Sequence, residues 1–204
     1  MGDVVARADL TRAQAEQLAT AGAFAVFEPD RRKAVWQAGY PGGRSDQLPV
    51  VIDTPAPTLP VMTPGEVTAA DLYATGIAPD QHPFARLRPA LDAHGVRAIA
   101  AVTHELDRRR TVVAGHVTHR QRPGTAGGIT FLNLEDETGM LNIICTGPVW
   151  QRYRRVLRGV NMLVIRGLVE VGDGAINLLA DKIAPLTSII PAAGDTPARS
   201  RDFR

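Results

Sequence analysis

The sequence predicts an α+β protein: a small all-helical N-terminal segment followed by a five-stranded β-barrel with one helix between strands 3 and 4. Helix caps and helix stops recur before residue 107. Over residues 108–187 the pattern changes to β-branched strands separated by turn residues. A chain of 204 residues has room for one ordinary domain and a smaller companion, and 45% hydrophobic residues are enough to bury a core.

Residues 1–40 predict a tightly connected pair of helices. Thr11 is suited to cap a first helix over Arg12–Thr20, because its hydroxyl can accept a hydrogen bond from the first turn. Asp30 can cap a second helix over Arg31–Ala38 in the same way. This pair is too small to bury a core by itself, so we expect it to pack on another segment.

Residues 41–65 predict a semi-rigid linker, because prolines recur there with glycines and without a helical or alternating period. Residues 66–107 are expected to form a helical connector. Its two helices are predicted over residues 64–75 and 81–94, and Gly76 ends the first of them.

Five strands are predicted within a domain that spans residues 108–187. In order they are Arg110–Thr118, Ile129–Leu134, Met140–Thr146, Met162–Val171 and Ala175–Pro185. A helix that begins at Pro148 and ends at Gly159 separates the third strand from the fourth. This order matches the OB fold, a small Greek-key barrel used on oligonucleotides. Residues 188–204, rich in Pro, Ala, Gly and Arg, are expected to form a disordered tail.

Charge is distributed unevenly along a chain whose formal net charge is +2. Residues 1–107 hold 9 Lys and Arg against 13 Asp and Glu, whereas residues 108–185 hold 11 against 6. Nearly all cations of the second segment are arginines, which favours planar recognition of phosphate or stacking on bases. Ordinary surface charge on a soluble domain explains the same composition equally well.

Composition excludes several classes of protein. Cys145 is the only cysteine, so the chain can form no internal disulfide and no cysteine-based zinc site. Its apolar neighbours favour burial over catalysis. No run approaches 18 consecutive apolar residues and the N-terminus lacks a signal peptide, so we expect a cytoplasmic protein without a membrane segment.

Neither a metal nor a cofactor is predicted. The acidic cluster Glu135–Glu137 precedes Thr138 and Gly139, which favours a solvated hairpin turn over a metal site. His116 and His119 stand three positions apart on a predicted strand, and strand alternation turns their side chains to opposite faces.

The second strand supplies the centre of the predicted binding surface. Alternation places Thr130, Leu132 and Leu134 on one face and Phe131 and Asn133 on the other. Two leucines make the first face the barrel core. Phe131 is then expected outside, where an aromatic ring can stack on a base with about 1–3 kcal/mol. The alternative is that Phe131 packs under a loop or a connector helix.

Polar residues of neighbouring strands are expected to flank Phe131. His116 can reach this surface from the first strand and Asn142 from the third. The amides of Asn133 and Asn142 can hydrogen-bond base edges. The sequence therefore predicts a mixed aromatic and amide surface for nucleic acid.

Arginines are expected at two places near this surface. Arg120 and Arg122 are predicted in the loop between strands 1 and 2, one of the loops with which OB folds hold their ligand. Arg152 and Arg155 lie on the helix after strand 3, either in a phosphate-binding stripe or on a solvated helix surface. Aromatic residues are scarce, so we expect weak, salt-dependent binding without sequence-specific readout.

Several segments together resemble a known family. Val117–Pro123 leading to Gly128–Gly139 resembles the OB domain of bacterial error-prone DNA polymerases of the C family, which are paralogues of the replicative polymerase III α-subunit. Leu18–Phe24, Arg31–Trp36 and Ala74–Pro83 resemble segments upstream of that domain, in the family's order and spacing.

The resemblance implies a function in DNA binding. It makes residues 1–40 the end of a helix-hairpin-helix module that grips duplex DNA, and it associates the OB domain with single-stranded template. The acidic residues that hold two metal ions in the family's active site lie upstream of these segments, so no catalytic residue is predicted.

The expected function is that of a single-stranded DNA-binding module from an error-prone translesion polymerase, present as a fragment and inactive by itself. The expected partners are single-stranded or primer-template DNA, with other polymerase or mutasome subunits as further candidates. Two alternatives stay open: a protein-interaction module that recruits the mutasome, and one part of a split DNA polymerase acting in replication and DNA repair.

Overall fold

The computed structural model describes residues 1–39, 56–172, 174–193 and 201–203. Its internal contacts separate a helical unit, Met1–Asp80, from a barrel unit, Gln81–Arg204, and each unit is described by itself. Residues 41–55 of the predicted linker and residues 194–200 of the predicted tail lie outside the described residues.

Four α-helices make up the described part of the helical unit. They are α1 (Gly2–Arg7), α2 (Arg12–Thr20), α3 (Arg31–Ala38) and α4 (Pro64–Thr75). The predicted bounds of α2, α3 and α4 are confirmed, whereas α1 was not indicated by the sequence pattern. Thr11 and Gln14 close a capping box at the start of α2, and the Asp30 carboxylate accepts two backbone N–H groups at the start of α3.

Small side chains fill the core of the helical unit. Ala15, Ala19, Ala34 and Ala38 are buried together with Phe24. Alanines contribute little apolar area per residue, and their small side chains let two helices approach each other closely. Close helix packing therefore holds this unit together more than bulky side chains do.

Ion pairs attach α4 to α3 within the helical unit. Arg31 donates to the Asp71 carboxylate, whose side chain is 6% exposed, and to the Val67 carbonyl oxygen at 3.4 Å. Arg32 donates to Glu66 at the start of α4. The helix α4 thus belongs to the helical unit, and the span 66–107 predicted as one connector is divided between the two units.

The described part of the barrel unit contains two α-helices and six strands. They are α5 (Pro83–Ala93), β1 (Arg110–Gln121), β2 (Thr130–Asp136), β3 (Gly139–Cys145), α6 (Gly147–Gly159), β4 (Met162–Gly172), β5 (Ala175–Pro185) and β6 (Arg201–Phe203). Short 3-10 turns occur at Ile99–Ala101, His104–Leu106, Leu186–Ser188 and Pro191–Ala193.

Strand pairing closes the barrel. The neighbours follow the order β1, β2, β3, β5, β4 and β1 again, with β3 and β5 parallel and the other pairs antiparallel. The strand β6 lies parallel to β1 at residues 119–121. The predicted OB fold is confirmed, with α6 between β3 and β4.

Two apolar clusters stabilise the barrel unit. Inside the barrel, strand side chains such as Leu132 and Ile165 pack with Trp150 and Leu157 of α6. On the outer surface of β1 and β4, a second cluster forms around Phe84 and Leu91 of α5, with Ala114, Met162 and Leu186. The helix α5 therefore covers the β1–β4 side of the barrel.

A β-bulge interrupts β1 between Val117 and His119. Val117 and Arg120 are both buried, whereas Thr118 and His119 between them are half-buried. A bulge inserts one extra residue into a strand, so the side-chain alternation after it is shifted by one position. Thr118 and His119 consequently both lie away from the barrel core.

The bulge corrects two predictions. The strand β1 continues to Gln121, so Arg120 lies on the strand and not in the loop after it. The pairing partners of His116 and His119 are two residues apart on β2, which places both histidines on the outer face and not on opposite faces.

Two acidic side chains of the hairpin between β2 and β3 are held by the fold, whereas the sequence predicted a solvated turn. The Asp136 side chain is fully buried and the Glu137 side chain is 15% exposed. Arg88 of α5 donates to both carboxylates, and the backbone N–H groups of Ile99 and Thr138 donate to Asp136. Hydrogen bonding to Glu137 raises the pKa of Arg88. The acidic residues therefore anchor α5 to the barrel.

Candidate nucleic-acid interface

A groove of about 590 Å³ lies on the outer surface of β1, β2 and β3. Its lining residues are His119, Gln121, Pro123, Phe131, Asn133 and Asn142. The strand β2 pairs antiparallel with both of its neighbours, and directly opposite residues of such pairs share a face with Cβ atoms about 4.5–5.5 Å apart. The groove thus collects side chains from three strands and from the loop after β1.

A row of polar side chains crosses this surface. Its members, each paired with the next on β1, β2, β3 and β5, are His119, Asn133, Asn142 and Asn177. Asn142 Nδ2 donates to Asn177 Oδ1 at 2.6 Å. This orientation makes the Asn142 oxygen an acceptor and the Asn177 nitrogen a donor. The row therefore offers both kinds of hydrogen-bonding group to a base edge.

A row of apolar side chains runs beside the polar row. Phe131, Ile144, Leu179 and Leu168 are successive pairing partners on β2, β3, β5 and β4, and each is half-buried. Unstacked bases bind proteins through their faces on aromatic rings and through their edges on polar groups. The two rows supply both surfaces side by side.

Three of the predicted site residues meet at the groove: Phe131, Asn133 and Asn142. The predicted core face of β2, formed by Thr130, Leu132 and Leu134, is confirmed as buried. His116 is not brought to the groove. Its pairing partner Glu135 lies four residues along β2 from Phe131, or about 13 Å at the usual rise of a strand.

The guanidinium of Arg120 is buried and hydrogen-bonded within the barrel unit. Arg120 is 8% exposed, and its Nη2 donates to the Val160 carbonyl oxygen at 2.8 Å and to Asn161 Oδ1 at 2.9 Å. These bonds join β1 to the residues that lead from α6 into β4. Arg120 therefore has a structural position, in contrast to its predicted position in a ligand-binding loop.

His119 and Gln121 line the groove, although the sequence pattern did not assign them to it. Gln121 pairs with Phe131, and His119 reaches the outer face through the bulge. Strict alternation from Val117 would turn both side chains into the core. Their polar character is the only signal in the sequence that argues for the outer face.

Arg122, which precedes the groove residue Pro123, lies over an aromatic ring of the arginine-rich helix α6. The Cζ atom of Arg122 lies 5.4 Å from the centre of the Trp150 ring. The α6 arginines are exposed, and within the described residues no ion pair joins them to a carboxylate; they are Arg152, Arg154, Arg155 and Arg158. This helix therefore presents uncompensated positive charge to solvent, as a phosphate-binding surface requires.

Metal and thiol chemistry find little support in the described residues. No group of three or more His, Cys, Asp or Glu side chains among them could hold a metal ion. Burial raises the pKa of Cys145 to about 12, so its thiol stays protonated at neutral pH. In the described part of the chain, no helix is both long and apolar enough to cross a membrane.

Comparison with known proteins agrees with the fold of the barrel unit. A family model described as an OB-fold nucleic acid binding domain matches residues 111–186. The error-prone DNA polymerase of Mycolicibacterium paratuberculosis is 47% identical over 204 residues, which are 99% of this chain and 18% of that protein. The chain matches the C-terminal region of error-prone DNA polymerases. The enzyme of the same name from Cutibacterium acnes is also 47% identical, over 100% of this chain and 18% of that protein.

The predicted resemblance to error-prone DNA polymerases is thereby confirmed. The chain spans 18% of the length of these curated relatives. Among solved structures, asparaginyl-tRNA synthetase from Pyrococcus horikoshii is 20% identical, with a TM-score of 0.38 over 43% of this chain and 22% of that chain.

Proposed function

We propose that the barrel unit binds single-stranded DNA, as the template-binding module of an error-prone DNA polymerase that copies damaged DNA. The observation that carries the proposal is the groove in which Phe131 lies beside a row of three amides. Proteins that bind single strands combine such a stacking platform with a positively charged path for the backbone. The exposed arginines of α6 supply that charge.

The residues define how a strand is held. One base stacks on Phe131, and its neighbour lies over Asn133 and Asn142, whose amides can both donate and accept hydrogen bonds. Amides that serve both roles tolerate different base edges, so the binding depends little on sequence. Phe131 is the aromatic side chain of the two rows, and phosphate contacts therefore carry much of the affinity.

Titration of a fluorescent oligodeoxythymidylate with the full chain at low salt tests the proposal. Replacement of Phe131 by Ala should weaken binding about 5- to 140-fold, because stacking contributes about 1–3 kcal/mol per base. Met140→Ala is the matched control, since Met140 is an apolar β3 residue that is 64% exposed and does not line the groove. Equal affinities of the two variants would contradict the proposal.

The competing functions predict different results. A protein-interaction module would show no saturable binding of single-stranded DNA at low salt. One part of a split polymerase would need its partner chain for primer extension with nucleotides and Mg²⁺, and we expect no extension by this chain alone. Extension by the purified chain would overturn the proposal that it is a binding module.

A further inference from the structure

Two guanidinium groups converge on the indole ring of Trp150. The Cζ atom of Arg122 lies 5.4 Å from the ring centre and that of Arg158 lies 5.7 Å from it. Arg122 comes from the loop after β1, whereas Arg158 and Trp150 belong to α6. Trp150 is only 8% exposed, and both arginines are exposed. The indole is thus a buried platform shared by two cations from separate elements.

An anion would stabilise this arrangement further. Two positive charges beside one ring repel each other, and within the described residues neither Arg122 nor Arg158 forms an ion pair with a carboxylate. Stacking on an aromatic face holds a guanidinium in a fixed plane and leaves its N–H edges available. Planar N–H edges match the paired oxygens of a phosphate.

We propose that Arg122 and Arg158, oriented by Trp150, clamp one phosphodiester of a bound strand. The inference rests on the proposed binding of single-stranded DNA at the groove. Arg122 directly precedes Pro123, which lines the groove, so a strand whose base stacks on Phe131 passes the clamp as it leaves. The base on Phe131 and the phosphodiester in the clamp would then define the line along which the strand crosses the barrel.

Arg155 provides a matched control on the same helix. It is exposed, as Arg158 is, but it lies five positions after Trp150, about 140° around the helix at 100° per residue. Removing either side chain changes the net charge equally. A difference between the two variants therefore reports on the Trp150 platform, and equal effects would indicate diffuse attraction by α6.

The first measurement uses Trp150 as its own reporter. Trp36 is the only other tryptophan, so Trp36→Phe leaves Trp150 as the single indole. Oligodeoxythymidylate should change Trp150 emission, and Arg158→Gln should weaken binding about tenfold and lower the slope of log K against log salt by about one unit. Arg155→Gln removes only the diffuse attraction of one α6 charge, so it should lower the slope by clearly less than Arg158→Gln does. Identical slopes for the two variants would overturn the clamp.

The second measurement locates the phosphate. The ligand is a short abasic oligonucleotide with a single thymine, whose stacking on Phe131 sets the register. Neutral methylphosphonate linkages are placed one at a time along it. One linkage should weaken binding to the parent chain about tenfold and have no further effect on Arg158→Gln, because the two changes remove the same contact.

The outcomes separate the two proposals. If Phe131→Ala leaves the affinity for the oligonucleotide unchanged, the proposed function itself is wrong. If Phe131→Ala weakens binding but the effect of every methylphosphonate linkage is the same in the parent chain and in Arg158→Gln, only the clamp is wrong. Arg158→Lys keeps the charge but not the planar edge, so the clamp predicts that it restores the salt slope without restoring the full affinity.

Discussion

The helical unit and the barrel unit use arginine differently. Residues 1–80 contain 6 Lys and Arg against 10 Asp and Glu, whereas residues 81–204 contain 17 against 11. In the helical unit Arg12, Arg31 and Arg32 each donate to a carboxylate. In the barrel unit Arg122 and Arg158 lie over the indole ring of Trp150. Arginine builds structure in the first unit and remains available for a ligand in the second.

The barrel unit also uses arginine for structure. Arg88 holds the buried Asp136 in the barrel unit, as Arg31 holds the buried Asp71 in the helical unit. The difference between the units is therefore one of surplus charge, and the structural use of arginine is common to both. Variants of these pairs test how far the comparison extends.

The largest effect is expected from Arg88→Met. The side chain of Asp136 is fully buried, and removal of the partner of a buried charge destabilises a protein by about 3–5 kcal/mol. Urea unfolding followed by Trp150 emission in a Trp36→Phe background measures the change in the barrel unit. Arg97→Met, at an exposed position of the same unit, should change stability by less than about 0.5 kcal/mol.

Arg31→Met should have a similar effect confined to the helical unit, of about 3 kcal/mol, because Asp71 is left buried without its cation. Amide hydrogen exchange should accelerate in α3 and α4. Arg7→Met is the contrasting control, because the Arg7–Asp3 pair is about four-fifths exposed on both sides and exposed pairs contribute little. Equal acceleration by both variants would show that burial does not decide the effect.

Gly167→Ala should destabilise the barrel unit by about 1–3 kcal/mol through overpacking. A Cβ atom at Gly167 would meet the Leu179 carbonyl oxygen of β5, and a backbone atom cannot move aside as a side chain can. Gly172 lies on the same strand with open space around it, so Gly172→Ala should be nearly neutral. Thermal unfolding of the two variants compares the positions directly.

The smallest expected effect is on the pH dependence of stability. The two units should differ in it because different titratable side chains cap their helices. Burial lowers the pKa of His82 below 6.5, although Glu135, Glu137 and Asp136 oppose this shift. His82 Nδ1 accepts the Phe84 N–H at the start of α5, which only the neutral ring can do. Below pH 6.5 the unfolded chain therefore binds more protons at His82 than the folded chain does. The free energy of unfolding of the barrel unit should fall there, by less than about 1 kcal/mol.

The helical unit should respond only in more acidic solution. A hydrogen bond from the Thr63 backbone N–H lowers the pKa of Glu66 below 4.5, so this stabilisation is present above pH 4.5 and disappears below it. Unfolding curves at pH 7 and 5.5 measure the difference. His82→Asn keeps a capping residue but not the titration, and it should remove the response of the barrel unit.

The sequence predicted what depends on local chemistry. Caps at Thr11 and Asp30, and the left-handed Gly76 after α4, are short-range signals, and the helices they bound lie as expected. The alternation of Leu132 and Leu134 with Phe131 likewise follows from the period of a strand. These features place Phe131 on the outer face of the barrel, where it lines the groove.

The rest depends on contacts distant in sequence. The burial of Asp136 requires Arg88 from α5, and the position of Arg120 requires Val160 and Asn161 from beyond α6. The local sequence does not distinguish a buried acidic turn from an exposed one, or a buried arginine from an exposed one. Only the folded chain brings the partners within hydrogen-bond distance.

Because of the bulge in β1, the number of residues in this strand decides which side chains face the groove. If one residue between Val117 and Gln121 were deleted, the alternation would return to its earlier phase, and the side chains beyond that point would exchange core and solvent. Two such barrels could then share every residue type and still present different surfaces to DNA. Counting residues between Val117 and Gln121 in related chains therefore comes before comparing their identities.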